Sequence, residues 1–151
     1  MSEQTLMGHQ TPCIDVTPTY FTSAGDDAID LAAAAGLILD PWQEHVLRGS
    51  LGERLDGQWV ATEVGLIVPR QNGKGSILEA RELAAMFLFG EKLVIHSAHL
   101  FSTAVEHMQR LESLIRNSEL AEYMQGLSPI PLCRCRPIER SHPPPPPPPP
   151  P

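Results

Sequence analysis

The sequence predicts an α/β fold, a parallel sheet flanked by helices, and three observations carry that expectation. Residues 59–68 (WVATEVGLIV) form an apolar, β-branched run whose second half, GLIV, is unbroken, as in a strand buried on both faces. The stretch 74–89 that follows is rich in helix formers and places Ile77, Ala80, Ala84 and Phe87 on one stripe, with Gly90 to stop it. A second short apolar run, 93–97 (LVIHS), comes next. Strand, helix and strand within about 40 residues match the spacing of a right-handed crossover between parallel strands.

Taken in order, residues 1–25 are polar and broken by Pro12, Pro18 and Gly25, which predicts a flexible, extended arm. Asp26 or Asp27 is placed to cap a helix running to Ala35, where Gly36 ends it. Asp40 is placed to cap a second helix, with Pro41 at its first position and Gly49 beyond its end. After the strand, helix and strand of 59–97, Thr103 and Glu106 have the spacing of a capping box. It would open a helix to about Ile115 with Val105, Met108, Leu111 and Ile115 inward. A last amphipathic piece spans 119–124. The predicted order is α, α, β, α, β, α, α, which makes 26–127 one domain.

From Ser128 the composition changes to SPIPLCRCRPIERSH and then nine prolines, Pro143 to Pro151, which can neither build a ladder nor bury a face. Residues 128–151 are therefore read as a low-complexity tail. A frameshifted gene end, an appended segment or a genuine polyproline rod would each account for it. The first 127 residues carry 8 Lys and Arg against 17 Asp and Glu, so the body is more acidic than the net charge of −7 suggests. Bulk attraction to nucleic acid is not favoured, because phosphate neutralisation needs clustered cations. No run of eighteen apolar residues and no basic-then-apolar leader occurs, so neither a membrane span nor a secretory signal is expected, and the chain is placed in the cytoplasm. Three cysteines, Cys13, Cys133 and Cys135, predict reduced thiols and no disulfide.

The chemistry is concentrated between the first strand and its helix, in Val68-Pro69-Arg70-Gln71-Asn72-Gly73-Lys74-Gly75-Ser76. A phosphate-binding loop surrounds its ligand with backbone N–H groups of a glycine turn and of the following helix N-terminus. A lysine then meets the terminal phosphates, and a Ser or Thr hydroxyl helps to hold Mg²⁺. The Gly73-Lys74 step stands where this requires, with Arg70 three residues ahead. Val68 replaces the usual first glycine and Gly75 the usual hydroxyl residue. Pro, Asn and Gly are also ordinary turn residues, so the flanking strand and helix are what raise the loop above chance.

Three segments, GLILDPWQEHVLRGSLGE, EVGLIVPRQNGKGSILEARELAAMFLFGE and LVIHSAHLFSTAVEHMQRL, with the spacing between them, resemble the large terminase subunits of tailed bacteriophages, particularly those of actinobacterial phages. The resemblance covers about residues 26–125. It implies a P-loop NTPase fold with an arginine-bearing Walker A variant, in which Lys74 is the phosphate lysine, Gly73 the turn glycine and Arg70 the γ-phosphate arginine. Pro69, Gln71, Asn72, Gly75 and Ser76 complete the loop around ATP, with Ser76 the candidate for the Mg²⁺ contact. Pro41-Trp42-Gln43 looks like an adenine-recognition element: an amide can pair with the adenine edge and an indole offers a stacking face. Gln43 is equally suited to a capping box with Asp40, and Trp42 to a core.

The segment His96-Ser97-Ala98-His99 resembles the element that couples nucleotide state to DNA in that family. A metal site on this histidine pair is disfavoured, since no acid or cysteine stands nearby in the sequence. Cys133, Cys135 and His142 make a similarly thin zinc site. The family resemblance implies an ATPase that drives double-stranded DNA into a procapsid, an endonuclease that cuts it, and a ring on the portal protein with the small terminase subunit, in the host cell cytoplasm. No Walker B strand ending in acids and no nuclease cluster follows Leu127, so a chain stopping inside its ATPase domain is expected to lack hydrolysis and cleavage. A helicase-like ATPase, a small-molecule kinase and an inactive truncated product are the rival readings.

Overall fold

The computed structural model describes residues 8–124. Its elements are β1 (Thr22–Ser23), α1 (Gly25–Ala34), α2 (Pro41–Ser50), β2 (Gly52–Glu53), α3 (Lys74–Phe87), α4 (Phe101–Arg116) and α5 (Ala121–Met124). The helices lie where the sequence places them, with local differences at their ends. α1 begins at Gly25, before the two aspartates, which occupy its first turn without capping it. There a side chain would be obstructed: a Cβ on Gly25 would sit 2.5 Å from the Cα of Arg48, so glycine lets α1 start hard against α2. Gly49 lies inside α2 instead of after it, and Asp40 with Gln43 forms the expected capping box. α4 starts at Phe101 after Leu100, which makes no side-chain cap bond and stands three residues ahead of the expected N-cap, so Thr103 and Glu106 do not cap it.

α1 presents small residues, Ala28 and Ala32, fully buried against α2 and α3. Leu47, Leu51, Ile77, Ala80 and Ala84 complete this first core, with Trp42, Trp59 and Leu66 packed at its margin. A second core joins the C-terminal end of α1 to the outer face of α3 and to α4 through Ala35, Leu83, Leu111 and Ile115. The predicted stripe of α3 is thus buried at Ile77, Ala80 and Ala84 and half-buried at Phe87. The same helix also buries Glu79 and Glu82, which the apolar stripe did not anticipate.

The parallel sheet expected from 59–68 and 93–97 does not form among the described residues. The sheet that does form is a two-residue antiparallel pair, Thr22 opposite Glu53 and Ser23 opposite Gly52, with an isolated bridge from Glu53 to Trp59. No backbone hydrogen bond engages 61–72 or 92–99 among the described residues. Ile67 is fully exposed, Leu93 74% and Ile95 80% exposed, so apart from Trp59 and Val60, which meet β2, these runs are strand-like in composition without a neighbouring strand among the described residues. A ladder needs a partner on at least one edge, and β-branched composition cannot supply it alone.

The arm predicted over 1–25 is tied, from Asp15 to Ser23, to α2 and β2. The Asp15 carboxylate meets His45 Nε2 at 2.7 Å, the Thr22 hydroxyl donates to Glu53 at 2.8 Å, and the Ser23 hydroxyl donates to the Arg48 carbonyl at 2.7 Å. Thr17 and His45 together hold the Asp15 carboxyl below the usual carboxylate range, the Thr17 hydrogen bond being the larger cause.

Candidate phosphate-binding loop and a buried histidine–carboxylate cluster

The loop ahead of α3 turns through two left-handed residues, Gln71 (φ 63°) and Gly73 (φ 70°). Glycine takes that conformation freely, whereas a residue with a Cβ loses roughly 1–2 kcal/mol there. Gln71 therefore carries local strain at the point where the chain reverses into the helix. Lys74 is the first helical residue, and no side chain caps the helix or places a negative charge in its first turn. Ser76 N–H donates to the Gly73 carbonyl at 3.0 Å, while the N–H groups of Lys74 and Gly75 make no hydrogen bond among the described residues. A helix start of this kind presents free donors and the positive end of the helix dipole.

Gln43 links this loop to α2. Its Oε1 accepts from Asp40 N–H at 2.7 Å and its Nε2 donates to the Gly73 carbonyl at 2.8 Å, although it is only 4% exposed. A Cβ on Gly73 would lie 2.8 Å from that same Nε2, so the contact requires glycine twice over. Both polar atoms of the Gln43 amide are engaged within the protein in this arrangement. Trp42 is half-buried at the margin of the first core.

Of the predicted site residues, Pro69, Arg70, Gln71, Asn72, Gly73 and Lys74 are exposed, and Gly75 and Ser76 are half-buried. Neither Arg70 nor Lys74 forms an ion pair among the described residues, which leaves two free cations on the loop. Lys74 also edges a cleft of about 640 Å³ between the end of α2, residues 58–66 and α3, lined by Val46, Trp59, Leu66, Ile77 and Arg81 among others. Arg81 is occupied there, bonded to Glu91 at 2.6 Å and lying over the Phe89 ring. The donors on the loop fit a polyphosphate. Mg²⁺ fits less well, because it prefers one or two carboxylates beside the phosphates and no carboxylate lines the cleft. Ser76 is the one loop hydroxyl at hand.

About two turns further along α3 lies a cluster that the sequence did not announce. The Glu82 carboxylate bonds His96 Nδ1 through Oε1 and His107 Nε2 through Oε2, each at 2.9 Å. The two imidazoles are stacked, 3.8 Å between centroids and 9° from parallel. Beside them Glu79 is fully buried, with Arg110 Nε 3.2 Å from its Oε1 and Arg110 Nη2 donating to its Oε2 at 3.3 Å. Burial pushes the Glu79 carboxyl up, against the opposing pull of Arg110 and His107. Its Oε1 has no hydrogen-bond partner and lies 3.9 Å from His107 Nδ1.

The ground for setting aside a metal on His96, the lack of an acid nearby in sequence, does not hold in space. The acid comes from α3 and the second imidazole from α4, while His99 is exposed and outside the cluster. One signal was readable: His107, Leu111 and Ile115 are spaced by four and are the buried residues of α4. Cys133, Cys135 and His142 lie outside the described residues, and Cys13 is an exposed free thiol. No protein family, curated protein or solved structure matches the chain. Among the described residues no helix is long and apolar enough to cross a membrane.

Proposed function

We propose that this chain is the nucleotide-binding part of a DNA-packaging motor of the terminase large-subunit kind, with ATP and Mg²⁺ as its ligands. The observation that carries the reading is the start of α3. A left-handed Gly73 turns the chain so that Lys74 opens a helix with no cap and no acid in its first turn, behind an exposed arginine. In this role the N–H groups of Lys74 and Gly75 bind phosphate oxygens, the Lys74 ammonium neutralises the terminal phosphates, and Arg70 reaches the γ-phosphate from the loop. Gln43 holds the Gly73 carbonyl, so α2 sets the attitude of the loop; an adenine contact by Gln43 requires it to release Asp40 or Gly73. Portal protein, small terminase subunit and double-stranded DNA are the partners this reading assigns, in the host cytoplasm. The acidic body confines the DNA contact to local basic groups.

No carboxylate lines the cleft beside Lys74 to activate a water there, so the proposed activity at this loop is binding without turnover. Titration of a fluorescent ATP analogue in the presence of Mg²⁺ tests it. Saturable binding is expected, weakened at least tenfold (about 1.4 kcal/mol) by Lys74→Ala with the helical circular dichroism unchanged. Wild-type protein that fails to bind, or binding untouched by Lys74→Ala, overturns the proposal.

A further inference from the structure

The nucleotide reading leaves the Glu82, His96 and His107 cluster unused. One donor atom from each of the three residues lies within 4.8 Å of the others. The residues come from α3, from the segment before α4 and from α4 itself, so their convergence is a product of tertiary packing. Two imidazole nitrogens and one carboxylate oxygen suit a borderline transition ion such as Zn²⁺, whereas Mg²⁺ and Ca²⁺ call for oxygen donors. Zinc bound by nitrogen and oxygen ligands at about 2.0–2.2 Å places those ligands little more than 3 Å apart. The two contacts with Glu82, 2.9 Å each, are already near that separation.

A second observation concerns the surroundings of His107. A metal-bound histidine usually donates its other ring N–H to a carboxylate, which fixes the ring and raises its basicity. When Nε2 of His107 faces Glu82, Nδ1 faces Glu79 Oε1, a fully buried oxygen without a hydrogen-bond partner, at 3.9 Å. The Arg110 guanidinium pairs with Glu79, while Glu82 has only the two imidazoles as ion-pair partners among the described residues, so a dication there compensates a buried carboxylate that no Arg or Lys neutralises. We propose that Glu82, His96 and His107 form a zinc-class metal site that clamps the 91–97 segment and α4 onto α3, with Glu79 orienting His107. The rings are parallel, so binding turns one of them out of the stack to aim its nitrogen at the ion. That rotation is soft for imidazole. Three protein ligands leave a fourth position for water.

Titration of the full chain with Co²⁺, without nucleotide, tests this independently of the ATP reading. The expected result is one equivalent of Co²⁺ giving the intense visible absorption of a tetrahedral ion, lost on adding Zn²⁺, with no thiolate-to-cobalt charge-transfer band. His96→Asn and Glu82→Gln should abolish the absorption, and His45→Asn, at the other carboxylate–histidine pair, should leave it unchanged. Glu79→Gln, a positioning change, should weaken Zn²⁺ affinity about 10–100-fold while keeping the tetrahedral spectrum. Circular dichroism identifies any variant that fails to fold, and His96→Asn, on a segment outside the helices, is the safeguard if Glu82→Gln does not. A weak octahedral spectrum, a thiolate band, or tetrahedral absorption that survives His96→Asn overturns the proposal.

Discussion

The two ends of α3 make the instructive contrast in this protein. At its start, residues 69–74 are exposed, polar and nearly free of tertiary ties, the Gln43 amide on the Gly73 carbonyl being the exception. From Glu79 to Ala85 the same helix is almost wholly buried, and it buries two carboxylates along with its apolar residues. The first end is organised by neighbours in sequence and offers donors to something outside. The second is organised by residues 14 to 31 positions away and satisfies most of its polar groups internally. A free polar loop costs little because water solvates it, whereas a buried carboxylate persists only where partners converge on it.

The contrast can be broken most forcefully at the inner end. Leu83 is fully buried in the second core, so Leu83→Ala should destabilise by about 2–5 kcal/mol in urea unfolding. A loss under about 1 kcal/mol would mean that this end of α3 is not packed as described. At the junction between the two ends of the comparison, Gln43→Ala removes the bonds to Asp40 N–H and the Gly73 carbonyl and should cost about 1–3 kcal/mol. If the loop depends on that tie, ATP affinity should fall in the same variant, since the carbonyl is released.

At the outer end the expected effects on stability are small. Arg70→Ala should change unfolding by no more than about 0.5 kcal/mol, because the side chain is exposed and makes no ion pair with a described residue. Its effect belongs in nucleotide affinity, and an appreciable loss of stability would show that the loop is structural. The smallest effect is expected at a control site remote from both ends. Asp15 has its folded pKa depressed, so its hydrogen bonds contribute stability above the unfolded carboxylate range that is lost as pH falls through the folded value. Thr17→Val removes the larger cause. Its stability should therefore differ slightly from wild type at neutral pH and converge with it in acid, which unfolding curves at several pH values would check.

Much of the helical framework was legible in sequence. Asp40, Pro41 and Gln43 announce the start of α2, and Gly73 followed by Lys74 announces the start of α3, because caps and turns are decided by a few adjacent residues. The stripe of Ile77, Ala80 and Ala84 was readable from its period. Strands were the weak point. The runs 59–68 and 93–97 have the composition of buried strands, yet a strand exists only with a partner, and beyond the contact of Trp59 and Val60 with β2 nothing pairs with them among the described residues. α4 began three residues early, with Leu100 in place of Thr103 at its N-cap, so local hydrogen-bonding preferences at Thr103 did not outweigh the continuation of the helix through Phe101 and Ser102.

What the sequence by itself determined is the turn into α3: Arg70, Gly73 and Lys74 fall within five residues, and the left-handed turn and helix start depend on that short stretch alone. The tertiary structure alone decided that Gln43 grips the loop instead of pointing into solvent, and that Glu82 meets His96 and His107. Those contacts join residues far apart in the chain through the packing of α1, α2 and α4 on α3. Periodicity reports which face of a helix is buried, but the partner on that face is set by how the helices pack.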